Sequence, residues 1–297
     1  MDGIINILKP SGMTSHDVVS YIRRNLKQKK VGHTGTLDPN AAGVLPICIG
    51  KGTKLSQYIM QKQKKYRCEL IFGKNTDTLD SYGTVTETKL TDTIKIEDIK
   101  EILEKFQGDI TQIPPAYSAI KVNGIRLYEK ARKGEKIEEI PSRLVTIYNI
   151  DIVNYVFPRL MIDVTCSSGT YIRSLVRDIA ENLGTVGYMS LLIRTKSGEF
   201  DIENSIALEE LNNIKLNENL ILLSEINLNM SDVIIKSSAK IAYVNGCEVS
   251  SKGLLSDINQ YTNQKVRVFD DSNSFIGIGF VKNKDSENLL KSDTLFI

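Results

Sequence analysis

Val31-Gly32-His33-Thr34-Gly35-Thr36-Leu37-Asp38-Pro39-Asn40 is the stretch on which the fold turns. It carries neither the helical nor the strand period and reads as an ordered loop. Gly32, Gly35 and the nearby Gly43 let backbone come close to a ligand. Asp38 sits inside this frame, between Leu37 and Pro39. An Asp in such a loop ordinarily bonds its own backbone and shapes a turn. The chemical alternative is a carboxylate nucleophile or a stabiliser of developing positive charge. A carboxylate with the usual pKa of about 3.9 is ionised at neutral pH, as either role requires.

Regular elements flank the loop. Thr14-Ser15-His16-Asp17 has the pattern of a helix start, a hydroxyl cap with an acid three residues on. Val18, Val19, Ile22 and Leu26 then mark one apolar face. Val44 to Ile49 suits a buried strand, although Pro46 argues against it. Gly50-Lys51-Gly52-Thr53 turns the chain, and Thr53 is placed to cap a short helix through Met60. Tyr66 to Phe72 alternates as a strand, and Ile96 to Phe106 has helical spacing. Tyr117 to Val122 reads as a strand entering a tight turn at Asn123-Gly124.

Leu160, Ile162, Val164 and Cys166 form the inward face of a further strand. Ser167-Ser168-Gly169-Thr170 stops it, and Ile172, Leu175, Val176, Ile179 and Leu183 follow as a helix closed by Gly184. Helices and strands alternate irregularly, which favours a mixed α+β sheet protein over a regular βαβ repeat. From about Ile234 the pattern shifts to short β pieces: Val266–Phe269 and Phe275–Val281 flank the turn Asp270-Asp271-Ser272-Asn273. Residues 234–297 are therefore expected to form a small separate β domain after a main domain of residues 1–230. Asn212 to Asn229 reads as a connector with some helix.

Composition narrows the function. The 297 residues include two His, four Cys and no Trp. The cysteines are scattered, with no C-x-x-C pair and no His at ligand spacing, so neither a zinc site nor a disulfide framework is expected. No apolar run nears the roughly 18 residues of a membrane span. The N-terminus lacks the basic lead of a signal peptide and meets Pro10 early, so the cytoplasm is the expected compartment. Gly50-Lys51 fails as a phosphate loop, because Leu45 and Gly52 stand where Gly and Ser/Thr belong. No nucleophile elbow or dinucleotide fingerprint occurs, so any enzyme here is expected to work without metal, redox cofactor or nucleotide.

The net charge of +2 conceals an asymmetry. Residues 1–75 hold 13 Lys+Arg against 4 Asp+Glu, while the remainder is acidic. Lys62-Gln63-Lys64-Lys65-Tyr66-Arg67 and Lys27-Gln28-Lys29-Lys30 are the densest runs. Each alone is an ordinary solvated face. Together, flanking a Gly-rich loop, they suggest a polyanionic partner.

The run Gly32-His33-Thr34-Gly35-Thr36-Leu37-Asp38-Pro39 resembles the signature of the TruB family of tRNA pseudouridine synthases. Further matches follow in family order: Gly3–Pro10 with Gly12–Ser15, Lys51–Lys54, Lys65-Tyr66, Thr76–Asp80, Pro114–Lys121, Ser167–Arg173 and Leu192–Thr195. They span about residues 3–200. Gly52 and Ile193 depart from the family, which more often has Ala and Arg there.

The resemblance implies a largely antiparallel sheet flanked by helices, with a PUA-like C-terminal β domain. It implies an isomerase that detaches uracil from its ribose and rejoins it through carbon 5, in the T-loop of tRNA. Asp38 takes the nucleophile role, on ribose or on ring. Tyr66 lies against the flipped base and handles the carbon-5 proton. Arg173 pairs with Asp38. Tyr171 packs beside that pair, Leu192 walls the pocket, His33 stacks on loop nucleotides, and Lys9 and Lys54 contact phosphates. Residues 114–145, with seven Lys+Arg partly offset by Glu129, Glu135, Glu138 and Glu139, resemble a mobile thumb that closes on the stem-loop.

Other readings place a non-catalytic tRNA-binding chaperone, or the catalytic subunit of a guide-RNA particle, on the same scaffold. Asp38, Tyr66 and Arg173 together argue against the first, and the lack of a long basic extension before Gly3 argues against the second. A standalone monomer with no cofactor and no membrane contact is expected.

Overall fold

The strands Gly3–Lys9 and Ala42–Ile49 are apolar at most positions, a composition suited to a sheet covered on both faces. The computed structural model describes residues 1–89, 92–118, 120–122, 124–133 and 140–297. Among them, ten strands form one sheet. Its main path runs Ile206–Ala207, Gly3–Lys9, Ala42–Ile49, Gly187–Ser197, Lys64–Phe72, Arg159–Cys166, Arg143–Val156, Gly108–Gln112. Most pairings are antiparallel, but Gly3–Lys9 with Ile206–Ala207 and Ala42–Ile49 with Gly187–Ser197 run parallel. The fold is thus mixed and largely antiparallel, with helices packed on it.

Pro46 lies in the middle of a strand after all. Its carbonyl accepts from Thr34 N, and a residue's N–H and C=O leave a strand on the same side. The missing N–H therefore points away from the Gly3–Lys9 partner. That ladder keeps its register, with Asn6 opposite Pro46.

The helix Ser15–Asn25 starts in a full capping box made by Thr14 and Asp17. Val18, Val19, Ile22 and Leu26 pack on Ile5, Ile7, Leu45 and Ile47. The helix Ile172–Asn182 lays Ile172, Leu175, Val176 and Ile179 against Leu70, Leu160, Ile162 and Val164. Leu37 and Leu192 belong to that same core. The residue before Asp38 is therefore anchored.

Thr53 does not cap a helix. It lies inside a 3-10 turn, Gly50–Leu55, and its hydroxyl donates to Gly50 O at 2.8 Å. Of the described residues in the strand expected over Tyr117–Val122, only Lys121–Val122 pairs, with Ile125–Arg126. A short helix, Leu127–Arg132, follows. Asn123 of the anticipated turn, and Glu135, Lys136, Glu138 and Glu139 of the charged segment, lie outside the described residues.

A second sheet orders Asp232–Ile235, Lys265–Asp270, Phe275–Lys284 and Glu287–Leu295. The expected hairpin is its centre. This sheet is not detached from the rest. Ile278 and Phe296 share a core with Ile4, Cys48, Leu55 and Ile226, and Arg267 donates to Ser224 O and Ile226 O. Among the described residues no helix is long and apolar enough to cross a membrane.

Candidate active site

Asp38 projects from the loop that Leu37 anchors. Ser15 fixes this loop further: Leu37 N donates to Ser15 Oγ at 2.8 Å, and that hydroxyl donates to Leu37 O. On the far side, the stop at Ser167–Thr170 lets the helix Ile172–Asn182 begin facing Asp38, with Arg173 in its first turn. Arg173 Nε lies 2.9 Å from Asp38 Oδ2, and Arg173 Nη2 donates to Oδ1 at 3.2 Å. This is the fork geometry in which a guanidinium holds a carboxylate by two bonds. The Arg173 side chain is 5% exposed, whereas that of Asp38 is 35% exposed. The cation is buried support, and the carboxylate remains reachable.

Arg173 is held in turn by the backbone. It donates to Thr78 O and to Tyr117 O, each at 3.0 Å. Its remaining charge faces Asp80 at 4.0 Å. Tyr171 is set by a reciprocal pair with the buried Gln112, which accepts from Tyr171 N and donates to Tyr171 O. Arg143 lies over the Tyr171 ring at 5.3 Å, within cation–π range.

Tyr66 packs against the core that contains Leu37 and Leu192. Burial pushes its hydroxyl above the ordinary phenol range, and the positive charge of Arg194 pulls the other way. His33 has its Nδ1 occupied as an acceptor from Gly35 N at 3.3 Å. Burial, with Arg194 and His16 nearby, holds its imidazole below the usual range, so it is neutral at pH 7.

Lys9 departs from expectation. It is 0% exposed, and its ammonium donates to Pro10 O, Pro39 O and Ala41 O. An ammonium has three donors, so none is left for a phosphate. Lys9 instead clamps the segment just after Asp38. Strand parity explains the placement, because Ile5, Ile7 and Lys9 share one inward face. Lys54 is exposed, but its ammonium donates to Leu295 O and so ties this segment to the second sheet.

Burial lowers the Lys9 pKa to about 8. The folded state therefore disfavours the charged form. That cost is present below about pH 8 and is relieved as pH rises toward the ordinary lysine value of about 10.4. Lys9→Met leaves three carbonyls without donors, at roughly 1–3 kcal/mol for each one left unsatisfied. We expect a lower melting temperature and a turnover reduced about tenfold. The melting difference between wild type and variant should widen from pH 8 to pH 10; a variant that melts and turns over like wild type would remove Lys9 from the site.

Residues 23–172 match the model of the TruB family pseudouridylate synthase N-terminal domain, half of the chain, and residues 173–228 match the tRNA pseudouridylate synthase B C-terminal domain. The chain belongs to the TruB family.

TruB relatives named tRNA pseudouridine synthase B extend over nearly its whole length. That of Alkaliphilus oremlandii is 47% identical, covering 96% of this chain and 95% of its own. That of Caldanaerobacter subterraneus subsp. tengcongensis is 46% identical over 94% and 95%. That of Clostridioides difficile is 44% identical over 100% of both. Among solved structures, one titled as a Cbf5-Nop10-Gar1 complex matches with TM-score 0.76 at 25% identity, covering 99% of this chain and 85% of that one. One titled as an H/ACA RNP bound to a substrate RNA containing 2'-deoxyuridine matches with TM-score 0.75 at 23% identity over 99% and 85%, a likeness of fold.

Four residues of this TruB-family site receive no role from the sequence: Ser15, Asp80 and Arg194, which lie within the family-like runs Gly12–Ser15, Thr76–Asp80 and Leu192–Thr195, and Gln112, which lies in none. Ser15 reads as part of a helix start, Asp80 is marked only as the end of the run Thr76–Asp80, and nothing local announces Gln112. Arg194 had a signal. It lies two residues beyond Leu192 on one strand, so a pocket-facing Leu192 puts Arg194 on the same face.

Proposed function

We propose that this chain converts the T-loop uridine at tRNA position 55 to pseudouridine, with Asp38 as the nucleophile. The observation that carries the reading is the reachable Asp38 carboxylate held by the two-bond fork of a buried Arg173. Cleaving the N1–C1′ bond builds positive charge at the sugar, which a fixed carboxylate traps or stabilises. The attack goes to the ribose or to the ring. The uracil then turns, carbon 5 bonds to C1′, the carbon-5 proton leaves, and N1 gains one.

The base must first leave its stack. Tyr66 then lies against it, Leu192 walls the pocket, and His33, neutral, stacks on the loop nucleotides. Tyr171 packs beside the Asp38–Arg173 pair. Lys54 and the basic front segment meet phosphates. Residues 114–145 act as the thumb; Tyr117 at its base touches Arg173, which supports coupling between RNA closure and the nucleophile's partner. Residues 234–297 form the PUA-like domain that grips the tRNA, following the main domain of residues 1–230. Asp38, Tyr66 and Arg173 all come from one chain, which supports a monomer, and the four cysteines are free, which supports the cytoplasm. No cofactor takes part.

The silent-chaperone reading would leave the clamped, accessible Asp38 without use. The structures titled as Cbf5 complexes match at 22–25% identity, below the 40–47% of the relatives named tRNA pseudouridine synthase B, which favours the tRNA reading over the guide-RNA one. The test is carbodiimide mapping of an unmodified tRNA transcript after incubation with the chain. A new stop at position 55, absent when that base is cytidine, is expected. No stop, or stops elsewhere only, would overturn the assignment.

A further inference from the structure

Arg194 is 1% exposed, yet among the described residues no carboxylate is ion-paired with it. Besides a side-chain hydrogen bond to Tyr66, its protein partners include two carbonyls: Nε donates to Val44 O at 2.7 Å and Nη2 to Gly35 O at 3.1 Å. A guanidinium has five N–H donors, and a buried charge without a counter-ion costs several kcal/mol. Its neighbours deepen the imbalance. The cations Lys9 and Lys64 and the imidazole of His33 all feel its charge. Both lysines spend their protons on carbonyls, Lys64 on Ile59, Met60 and Lys62. Such an arrangement calls for an anion that the resting protein lacks.

Directly across the sheet from Arg194 is Tyr66, its register partner on the neighbouring antiparallel strand. Register partners project from the same face, with their Cβ atoms about 4.5–5.5 Å apart. Accordingly, we propose that Arg194 is a positioning residue that acts through Tyr66, as the counter-ion of the Tyr66 phenolate that removes the carbon-5 proton. This rests on the isomerase reading above. In that step the C5–H bond breaks and the proton bonds to the Tyr66 oxygen. The C–H electron pair forms C5=C6, the former C6=N1 π pair moves to N1, and N1 takes a proton from water. Tyr66 returns to phenolate by releasing its proton to solvent. The other groups facing Tyr66 are Cys166 and Asp38, and both oppose the phenolate. Arg194 is the group among these that favours it.

Single-turnover rates of pseudouridine formation against pH test this. Arg194→Gln should lose activity by at least about tenfold at pH 7, equivalent to one pKa unit of phenolate. The loss should stay level well below the Tyr66 pKa, which burial holds above the ordinary phenol value of about 10, and should shrink as pH climbs through it toward about 11. Tyr66→Phe should show no such rescue, and the double variant should be no slower than Tyr66→Phe alone. Arg194→Lys, which keeps the charge, should lie between wild type and Arg194→Gln at pH 7. If Arg194→Gln does not fold, the Lys variant's deficit must widen from pH 7 to pH 9, because burial discharges an ammonium there as it does the neighbouring Lys9 and Lys64, each lowered to about 8. A deficit equal at every pH, effects that multiply in the double variant, or no deficit would each overturn the proposal. A wild type that makes no pseudouridine would instead overturn the isomerase reading.

Discussion

Asp38→Asn should reduce pseudouridine formation by at least about 10⁴-fold, the scale seen when a nucleophile is removed. Affinity for the T stem-loop should stay within about threefold. Asn preserves the size of the side chain and one acceptor for Arg173, so the loop that Ser15 and Lys9 hold is retained. What disappears is the negative charge and its nucleophilicity. Arg173, 5% exposed, then faces a neutral amide. Because Asp38 is partly exposed, the stability cost should be nearer 1–2 kcal/mol than the roughly 3–5 kcal/mol of breaking a fully buried pair. That is a drop of a few degrees in melting temperature. Filter binding alongside a rate assay separates the two effects. A variant that binds RNA and still turns over would remove Asp38 from the chemistry.

Arg173→Lys tests the fork. Lysine keeps the charge but offers a point where arginine offers a plane. It cannot grip both Asp38 oxygens while also serving Thr78 O and Tyr117 O. We expect turnover to fall about 100-fold, roughly 2.7 kcal/mol of transition-state stabilisation. RNA affinity should change little, because Arg173 lies beneath the carboxylate. Equal rates in the Lys variant and wild type would show that charge suffices and that the paired geometry is incidental.

The parts of this fold legible in sequence are those fixed by short-range physics. Thr14 and Asp17 announce a capping box because both partners lie within four residues. Leu160 to Cys166 announces a strand because alternation is local. Pro46 misleads for a non-local reason: its harmlessness depends on which neighbour lies on its N–H side. Lys9 misleads because lysine ordinarily seeks water, whereas this one spends all three donors on carbonyls of a folded loop. The Asp38–Arg173 pair spans 135 positions in sequence. No periodicity links such distant residues, and only the family resemblance paired them. Gln112 was beyond that reach, since its partner is a backbone group brought close by the fold, whereas Arg194 could be placed on the Leu192 face but its carbonyl partners could not be read.

The most direct measurement of the central claim is hydrogen release from T stem-loop RNA carrying tritium at carbon 5 of its uridine, with chain and buffer alone. The account predicts one hydrogen released for each pseudouridine formed, with the ring retained on its ribose and no release from Asp38→Asn. Free uracil with an abasic ribose, or release that survives loss of the Asp38 carboxylate, would contradict it.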